Sequence, residues 1–348
     1  MQRTLLIDGT LLLKRSYHVA NNSFNSKGKN IGGLYGFMIT LRMLIKNYNI
    51  DKCVVSFDSV NSGKLRYNIY NDYKLNRENK QYHSGGIQLT EKQAYREEME
   101  KTLLWQKMRI NQYLEDLHIR QLNLDIVETD DVLAYYCKKY HETEYILIFT
   151  NDRDFCQLVA YDNVNIYMSN MKTVINKDNY FMHFNHDYRN SKLLKIICGD
   201  SSDNIKGIKL VTPDTLLKFF PRLDREEYSL DRINEETKVL NQERVKLKKK
   251  PLQSLYNLEN KIFKSEDGSF ELNEKLVDLG NPILNRESIC EIEATSEYPM
   301  DLSNRNSKNL MRMMAEDEFL SMHNFNFIDF VTPFYNIIIK EKQFSKKS

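Results

Sequence analysis

The sequence predicts an α/β fold with a mainly parallel, twisted sheet flanked by helices. Short apolar runs that end at an acidic residue alternate with longer segments of helical periodicity over residues 1–150. This alternation is typical of parallel strands joined by crossover helices. The composition, 41% hydrophobic and 28% charged over 348 residues, excludes a disordered chain and allows one large domain or two smaller ones.

The first strands are predicted at residues 4–7 (TLLI) and 53–57 (CVVSF). Both runs are short and apolar, and an aspartate follows each of them, Asp8 and Asp58. Between the two runs, apolar residues recur at helical spacing after Gly32-Gly33. The segment is therefore predicted to be a crossover helix that completes a βαβ unit.

Further elements follow from the same patterns. Residues 90–117 lack Gly and Pro and predict a long helix, and then come a strand near 122–127, a helix over 131–140 and a strand over 145–150. After residue 190 the sequence is helical, with GDSSDNIKG at 199–207 as a turn. Residues 222–300 are polar and predict an insertion, whose KLKKK run at 246–250 is either a solvated face or a contact for a duplex backbone.

Whole-chain properties narrow the class of protein. The net charge of +2 does not by itself indicate nucleic-acid binding. The five cysteines contain no C-x-x-C pair, so we expect reduced thiols. No run is long enough to span a bilayer and the N-terminus does not look like a secretion signal, so we expect a cytoplasmic protein without a membrane anchor.

The stretch IVETDDVL at 126–133 crowds Glu128, Asp130 and Asp131 ahead of a predicted helix. Acidic groups in a first helical turn are favourable, and Thr129 is a candidate N-cap. However, two unit charges about 5 Å apart at an effective dielectric constant of about 20 repel by roughly 3 kcal/mol. A bound cation is the alternative explanation of this cluster.

Acids from other segments favour the cation. The carboxyl ends of parallel strands meet at one edge of a sheet. Nine carboxylates are expected at or near this edge: Asp8, Asp58, Glu128, Asp130, Asp131, Asp152, Asp154, Asp200 and Asp203. Oxygen-only ligands suit Mg²⁺ or Mn²⁺ rather than zinc, and two such ions about 4 Å apart promote phosphodiester hydrolysis. Each acid taken alone could instead be a turn former or a helix cap.

A basic and aromatic segment, KLRYNIYNDYKLNRENKQY at 64–82, follows Asp58. Cations neutralise phosphates and aromatic rings stack on unpaired bases, so the segment predicts a grip on single-stranded nucleic acid. A solvated helix face packed through its tyrosines is the alternative. The candidate nucleic-acid ligands here are Lys64, Arg66, Tyr73, Lys74, Arg77, Lys80 and Tyr82.

Six stretches together resemble the 5′-nuclease superfamily of flap endonucleases and 5′ to 3′ exonucleases, and are most similar to its phage-encoded RNase H-type branch. They are LLIDGTLLLKRSY, VVSFDS, YNDYKLNR, VETDDVLAYY, IFTNDRDFCQL and ICGDSSDNIKGI, in family order over residues 1–210. The resemblance implies a PIN-like catalytic core over 1–190 with a helical arch at about 74–105. It also implies a helical C-terminal region over 191–348 with a helix-two-turn-helix element at about 191–220.

The resemblance also implies roles for individual residues. Asp8, Asp58, Glu128 and Asp130 would hold a first Mg²⁺, with Asp152 shared or adjacent. Asp131, Asp154, Asp200 and Asp203 would serve a second Mg²⁺ or its waters, and Mn²⁺ would substitute. Lys74 and Arg77 would act on the scissile phosphate together with Asp130 and Asp131, while Lys206 and Lys209 would contact duplex DNA.

The substrates implied are DNA and RNA/DNA hybrids with a 5′ single-stranded end or flap, as in primer removal during replication. A monomer that works with a single-strand-binding protein, clamp or polymerase is expected. One departure concerns the Gly-Ile-Gly signature, where Lys209 replaces the second glycine and puts the potassium site and the strength of duplex binding in doubt. A catalytically inactive DNA-binding accessory and a PIN-type ribonuclease are the alternatives to this function.

Overall fold

A computed structural model describes residues 1–20, 22–75, 88–263, 269–298, 307–321 and 325–344. Its strands are β1 (Gln2–Asp8), β2 (Lys52–Ser56), β3 (Arg120–Leu122), β4 (Glu144–Thr150), β5 (Val164–Met168), β6 (Thr173–Ile175), β7 (Gly199–Asp200) and β8 (Ile205–Lys206). The first six strands form one sheet in the order β3-β2-β1-β4-β5-β6. All neighbours in this sheet are parallel except β6, which is antiparallel to β5.

The helices flank this sheet and extend beyond it. Those of the first half are α1 (Gly9–Val19), α2 (Gly32–Asn47), α3 (Lys64–Ile69), α4 (Gln88–Asp116), α5 (Thr129–Tyr140) and α6 (Tyr180–Phe184). Those of the second half are α7 (Ser191–Cys198), α8 (Pro213–Phe219), α9 (Leu230–Lys246), α10 (Gln253–Phe263), α11 (Ser269–Val277), α12 (Arg286–Glu297), α13 (Ser307–Glu316) and α14 (Phe327–Phe344). Short 3₁₀ segments lie at Arg153–Ala160, Tyr188–Asn190, Pro221–Asp224 and Phe319–Ser321.

The strand sequences explain why the sheet is covered on both faces. In β1 the side chains of Leu5 and Ile7 point to one face, and that of Leu6 points to the other, because successive side chains of a strand alternate. All three are fully buried. The first face packs against α1, α2, α4, α13 and α14, and the second against α5 and the segment at 153–160. The predicted α/β class with a mainly parallel sheet is confirmed.

The C-terminal half has a third core of its own. Helices α7 and α8 are joined by the β7–β8 turn, and they pack with parts of α9, α10 and α11 around Leu216, Phe220 and Leu258. Helices α13 and α14 instead return to the first face of the sheet, where Phe330 and Phe334 are buried. No helix among the described residues is long and apolar enough to cross a lipid bilayer.

Two details of the sequence prediction are wrong. The strand predicted near 122–127 is β3, which ends at Leu122 and leaves an irregular stretch before Glu128. Thr129 is the first residue of α5 and Glu128 occupies the N-cap position, although its side chain accepts no hydrogen bond from the helix. The physical reason is that Asp58 caps α5 from another segment, since its carboxylate accepts a hydrogen bond from the Thr129 N–H at 2.9 Å.

Candidate metal and nucleic-acid site

A cleft of about 650 Å³ opens at the carboxyl edge of the parallel sheet. Ligands bind at this edge in open α/β sheets, because helices cover the faces and the loops that follow the strands leave room there. Five acids from four segments line the cleft: Asp8, Asp58, Glu128, Asp130 and Asp152. These are five of the nine carboxylates that the sequence predicts for this edge.

The backbone fixes the first acids of the cleft. Asp8 ends β1 and caps α1, with its Oδ1 accepting a hydrogen bond from the Leu11 N–H at 2.9 Å. The Asp58 N–H donates to Thr10 Oγ1 at 2.9 Å, while the Asp58 carboxylate caps α5. The same contacts that begin two helices therefore hold two carboxylates at the cleft.

Burial and the charges of neighbouring acids raise the pKa of two cleft residues, Asp8 and Asp130. Burial, together with the charges of Asp58 and Asp152, raises the pKa of Asp8 to about 7 against the hydrogen bond from Leu11. Burial, followed by the charges of Asp152 and Glu128, raises the pKa of Asp130 well above its ordinary value. The cleft therefore concentrates negative charge that a cation would neutralise.

Glu128 is surrounded by donors. Its carboxylate accepts hydrogen bonds from Lys74 Nζ at 2.5 Å and Tyr73 Oη at 3.0 Å, and lies 3.2 Å from Arg66 Nε. Gly63 also approaches it closely, because a Cβ there would lie 2.8 Å from Glu128 Oε1. Gly63 has a φ of +87°, a conformation that only glycine adopts without strain.

Asp131 lies outside the cleft, which differs from its expected role as a metal ligand. Its Oδ1 and Oδ2 each lie 2.9 Å from Arg66 Nη2, and Oδ1 also accepts a hydrogen bond from the Ile283 N–H at 2.8 Å. The reason is helix geometry, since successive residues of a helix point about 100° apart. Asp130 thus faces the cleft, and Asp131 faces the interior.

A second acidic group lies near the β7–β8 turn. Lys195 on α7 forms ion pairs with both Asp154 and Asp200, the latter at 2.8 Å. Burial raises the pKa of Asp154 to about 6 despite Lys195. Burial also opposes ionisation of Asp200, but Lys195 and Ser202 outweigh it and lower the pKa of Asp200 to about 2.

Asp203 connects the two acidic groups. Its Oδ2 accepts a hydrogen bond from Tyr73 Oη at 3.1 Å, and the same hydroxyl contacts Glu128. Its carbonyl oxygen accepts a hydrogen bond from the Lys74 N–H at 2.9 Å. Lys74 has a φ of +58°, which is uncommon for a residue with a side chain. The turn after α7 therefore holds the lysine that contacts Glu128.

Three basic residues at the cleft were missed by the sequence reasoning. Lys14 and Arg15 on α1 line the cleft, and Lys107 Nζ on α4 donates to the Asp58 carbonyl oxygen at 2.6 Å. Lys14 and Arg15 could have been found from the sequence, because they follow Leu11 by three and four residues and so lie on the same helical face. Lys107 had no comparable signal, because its contact crosses 49 positions of sequence.

The structure divides the predicted nucleic-acid ligands. Lys64, Lys206 and Lys209 are exposed. Arg66 and Tyr73 are buried and bind acidic side chains, which differs from their expected role on the surface. Arg77, Lys80 and Tyr82 lie outside the described residues, as does part of the predicted arch.

The donor set of the cleft fits Mg²⁺ or Mn²⁺, because its ligand atoms are carboxylate oxygens from several segments. Over the described ranges, no three Asp, Glu, His or Cys side chains converge tightly enough to make a ready-formed metal site. Among the described residues, Glu128 is instead paired with Lys74 and Arg66.

The fold has counterparts among solved structures. It is similar to bacteriophage T5 5′-exonuclease with bound zinc ions, with a TM-score of 0.59 and 20% identity over 92% of this chain and 100% of that chain. A complex of the bacteriophage T5 D15 flap endonuclease with DNA and metal ions gives a TM-score of 0.58 at 20% identity, with the same coverage. At this level of identity the likeness shows the fold.

Sequence relatives are named 5′-3′ exonucleases. The relative from Mycoplasmopsis pulmonis is 29% identical over 211 residues, which are 60% of this chain and 62% of that protein. The relative from Aquifex aeolicus is 27% identical over 299 residues, which are 85% of this chain and 94% of that protein. The family model of the 5′-3′ exonuclease N-terminal resolvase-like domain matches residues 3–185, more than half of the chain. The cleft at the carboxyl ends of β1, β2 and β4 thus lies within the matched domain, and the chain belongs to the 5′-3′ exonuclease family within the 5′-nuclease superfamily.

Proposed function

We propose that this protein is a divalent-metal-dependent 5′-nuclease. It hydrolyses phosphodiesters near the 5′ end of DNA, or of RNA paired to DNA. The observation that carries the proposal is the convergence of five carboxylates with Lys14, Arg15 and Lys74 in one cleft at the carboxyl edge of the sheet. Acidic side chains that bind divalent cations, next to basic side chains that bind phosphate, form an arrangement suited to metal-dependent phosphodiester hydrolysis.

The family membership supports the same reaction. Curated relatives in Mycoplasmopsis pulmonis and Aquifex aeolicus are named 5′-3′ exonucleases. The T5 proteins of similar fold were solved with metal ions, and one of them with DNA. We propose that metal dependence and DNA binding extend to this chain.

In this proposal Asp8, Asp58, Glu128 and Asp130 would hold one Mg²⁺, with Asp152 shared or adjacent, and Asp154, Asp200 and Asp203 would hold a second one or its waters. Mn²⁺ would substitute. Two such ions, when bound, would supply a water nucleophile and stabilise the leaving oxygen. We assign Asp131 to a different task, because its carboxylate is occupied by Arg66 and the Ile283 N–H.

The basic side chains bind and orient the substrate. Lys74 is held at the cleft by Glu128 and by its backbone contact with Asp203, so its ammonium group is in place to neutralise charge that develops on the scissile phosphate. Arg77, three positions later, is proposed to assist it. Lys14 and Arg15 project into the cleft from α1, where they would bind a phosphate next to the scissile one.

The biological substrates in this proposal are 5′ flaps and RNA primers paired to DNA. Primer removal and flap trimming during replication in the cytoplasm follow from such substrates. A single-strand-binding protein, a clamp or a polymerase would be the partner.

The test is a cleavage assay on a 5′-labelled flap duplex and on an RNA primer annealed to DNA, each with Mg²⁺ and with EDTA. Mg²⁺-dependent release of short 5′ products is expected, and their lengths separate exonuclease from flap cleavage. The variant Asp130→Asn should lose cleavage while it still binds the flap duplex. Binding without cleavage by the unaltered protein would contradict the proposal and favour a non-catalytic accessory, while cleavage of single-stranded RNA alone would favour a PIN-type ribonuclease.

A further inference from the structure

A cluster of exposed lysines at the end of a helical hairpin is not used by the proposed cleavage site. Helices α9 and α10 form this hairpin, and we call Lys246–Lys250, the last residue of α9 and the four that follow it, the basic tip. Lys246, Lys248, Lys249 and Lys250 are all exposed. Over the part of the chain that the structure describes, none of the four has an acidic partner.

The basic tip has a defined backbone. The Lys249 N–H donates to the Arg244 carbonyl oxygen at 2.9 Å, and Arg244 Nη2 donates to the Lys250 carbonyl oxygen at 2.6 Å. Between the two helices, Asn241 Nδ2 donates to Glu259 Oε2 at 2.5 Å. These contacts close the loop and place its lysines together at the C-terminal end of α9, where the helix dipole favours positive charge.

The basic tip lies beside the turn that follows α7. Asn257 Nδ2 on α10 donates to the Lys209 carbonyl oxygen at 2.8 Å. Asn257 is four residues from the start of α10 at Gln253, which is about 6 Å along the helix axis. The lysines of the tip therefore extend the surface that already carries Lys206 and Lys209.

We infer that the basic tip binds the phosphate backbone of a duplex arm of the substrate, as a continuation of the surface formed by Lys206 and Lys209. This inference rests on the proposed function, because the duplex arm belongs to that substrate. A duplex carries one negative charge per about 1.7 Å of its axis, so a row of unpaired lysines complements it. Residues 244–252 (RVKLKKKPL) contain no aromatic ring, and stacking on such rings is the means by which proteins hold single strands.

The test compares two full-chain variants that lose the same charge. One is the triple variant Lys248→Gln, Lys249→Gln, Lys250→Gln, and the control is Lys46→Gln, Lys172→Gln, Lys308→Gln. The control lysines are exposed and lie on α2, the β5–β6 turn and α13. Lys172 and Lys248 also share a positive φ, of +52° and +50°. Binding to a 5′-flap substrate is measured in EDTA over a series of salt concentrations, with a long duplex arm and with a short one.

The slope of log Kd against log salt concentration should fall by up to about 2.7 for the tip variant, because each lost phosphate contact removes about 0.9. The control should keep the slope of the unaltered protein. With the short arm, which ends before the tip, both variants should match the unaltered protein. The rate of cleavage at saturating substrate should not change in either variant.

An unchanged slope for the tip variant, or an equal fall in the control, would overturn the inference. It would also be overturned if the tip variant kept duplex binding but lost binding to an acidic peptide. If the unaltered protein neither binds nor cleaves the flap substrate, the proposed function itself is wrong. The two failures are therefore distinguishable.

Discussion

The substitution Asp131→Asn should destabilise the protein without removing a metal ligand. The side chains of Arg66 and Asp131 are only 6% and 2% exposed, so their charges compensate each other inside the protein. Removing one partner of a buried pair costs about 3–5 kcal/mol. In the variant Arg66 still contacts Glu128 at 3.2 Å and the Leu276 carbonyl oxygen, and the new Asn side chain still offers one acceptor atom. We therefore expect a loss of unfolding free energy at the lower end of this range, about 3 kcal/mol.

This loss corresponds to a measurable change in melting temperature. Unfolding entropy is about 2.1 cal/mol/K per residue, so a loss of about 3 kcal/mol in a chain of this length lowers Tm by about 4 °C. Differential scanning calorimetry in EDTA measures the change. Added Mg²⁺ should then raise the Tm of Asp131→Asn as much as it raises the Tm of the unaltered protein.

The matched control is Asp130→Asn, one position earlier on α5. Asp130 faces Asp8, Asp58, Glu128 and Asp152, so neutralising it relieves repulsion. Its Tm in EDTA should stay the same or rise, while the increase produced by Mg²⁺ should shrink. The reasoning is refuted if Asp131→Asn has the same Tm as the unaltered protein in EDTA and is no longer stabilised by Mg²⁺. Asp131 would then be a metal ligand and not a structural partner of Arg66.

Three further predictions concern the two acidic groups. Lys195→Met should lower Tm in EDTA and enlarge the rise in Tm produced by Mg²⁺, because Asp154 and Asp200 lose their shared counterion. The control is Lys192→Met on the same helix as Lys195, which removes ion pairs with Glu274 and Asp278 and should leave the rise in Tm unchanged. An equal effect of both variants would contradict the assignment. Gly63→Ala and Gly28→Ala should each cost about 1 kcal/mol in urea unfolding because both positions have positive φ, but only Gly63→Ala, whose Cβ would meet Glu128, should reduce cleavage. The pKa of Asp8 is raised in the folded protein, so the protonated side chain of Asp8 stabilises the fold fully below about pH 4. In EDTA the free energy of unfolding should fall by on the order of 4 kcal/mol from this group as the pH rises to about 7. The difference in unfolding free energy between the unaltered protein and Asp8→Asn should follow that curve, and a pH-independent difference would refute the assignment.

Much of the fold and of the cleft could be predicted from the sequence. The runs TLLI, CVVSF and YILIFT are buried strands because their apolar side chains cover both faces of a sheet. The acids that follow these strands had to share an edge once the strands were parallel. For that reason Asp8, Asp58 and Asp152 are found together.

Neighbouring residues of one helix were harder to separate. Asp130 and Asp131 have the same chemistry. Which of them faces the cleft depends on how α5 is rotated about its axis against the sheet, and on the position of Arg66, 65 residues before Asp131 in the chain. The basic segment at 64–82 raised the same difficulty, since its composition does not tell which cation is buried in an ion pair and which faces solvent. Pairing across the fold decides this, and a sequence pattern does not contain it.

The ion pair between Lys74 and Glu128 has a consequence for the order of events at the cleft. In the structure the two groups neutralise each other, so the lysine offers little charge to a phosphate while the carboxylate holds it. A cation held by Glu128 would free the ammonium group of Lys74. Cation and phosphate would then favour each other's binding by the same factor, as linkage requires. Such an exchange of partners would add the charge of Lys74 to that of Lys14 and Arg15 at the cleft once Glu128 binds the cation.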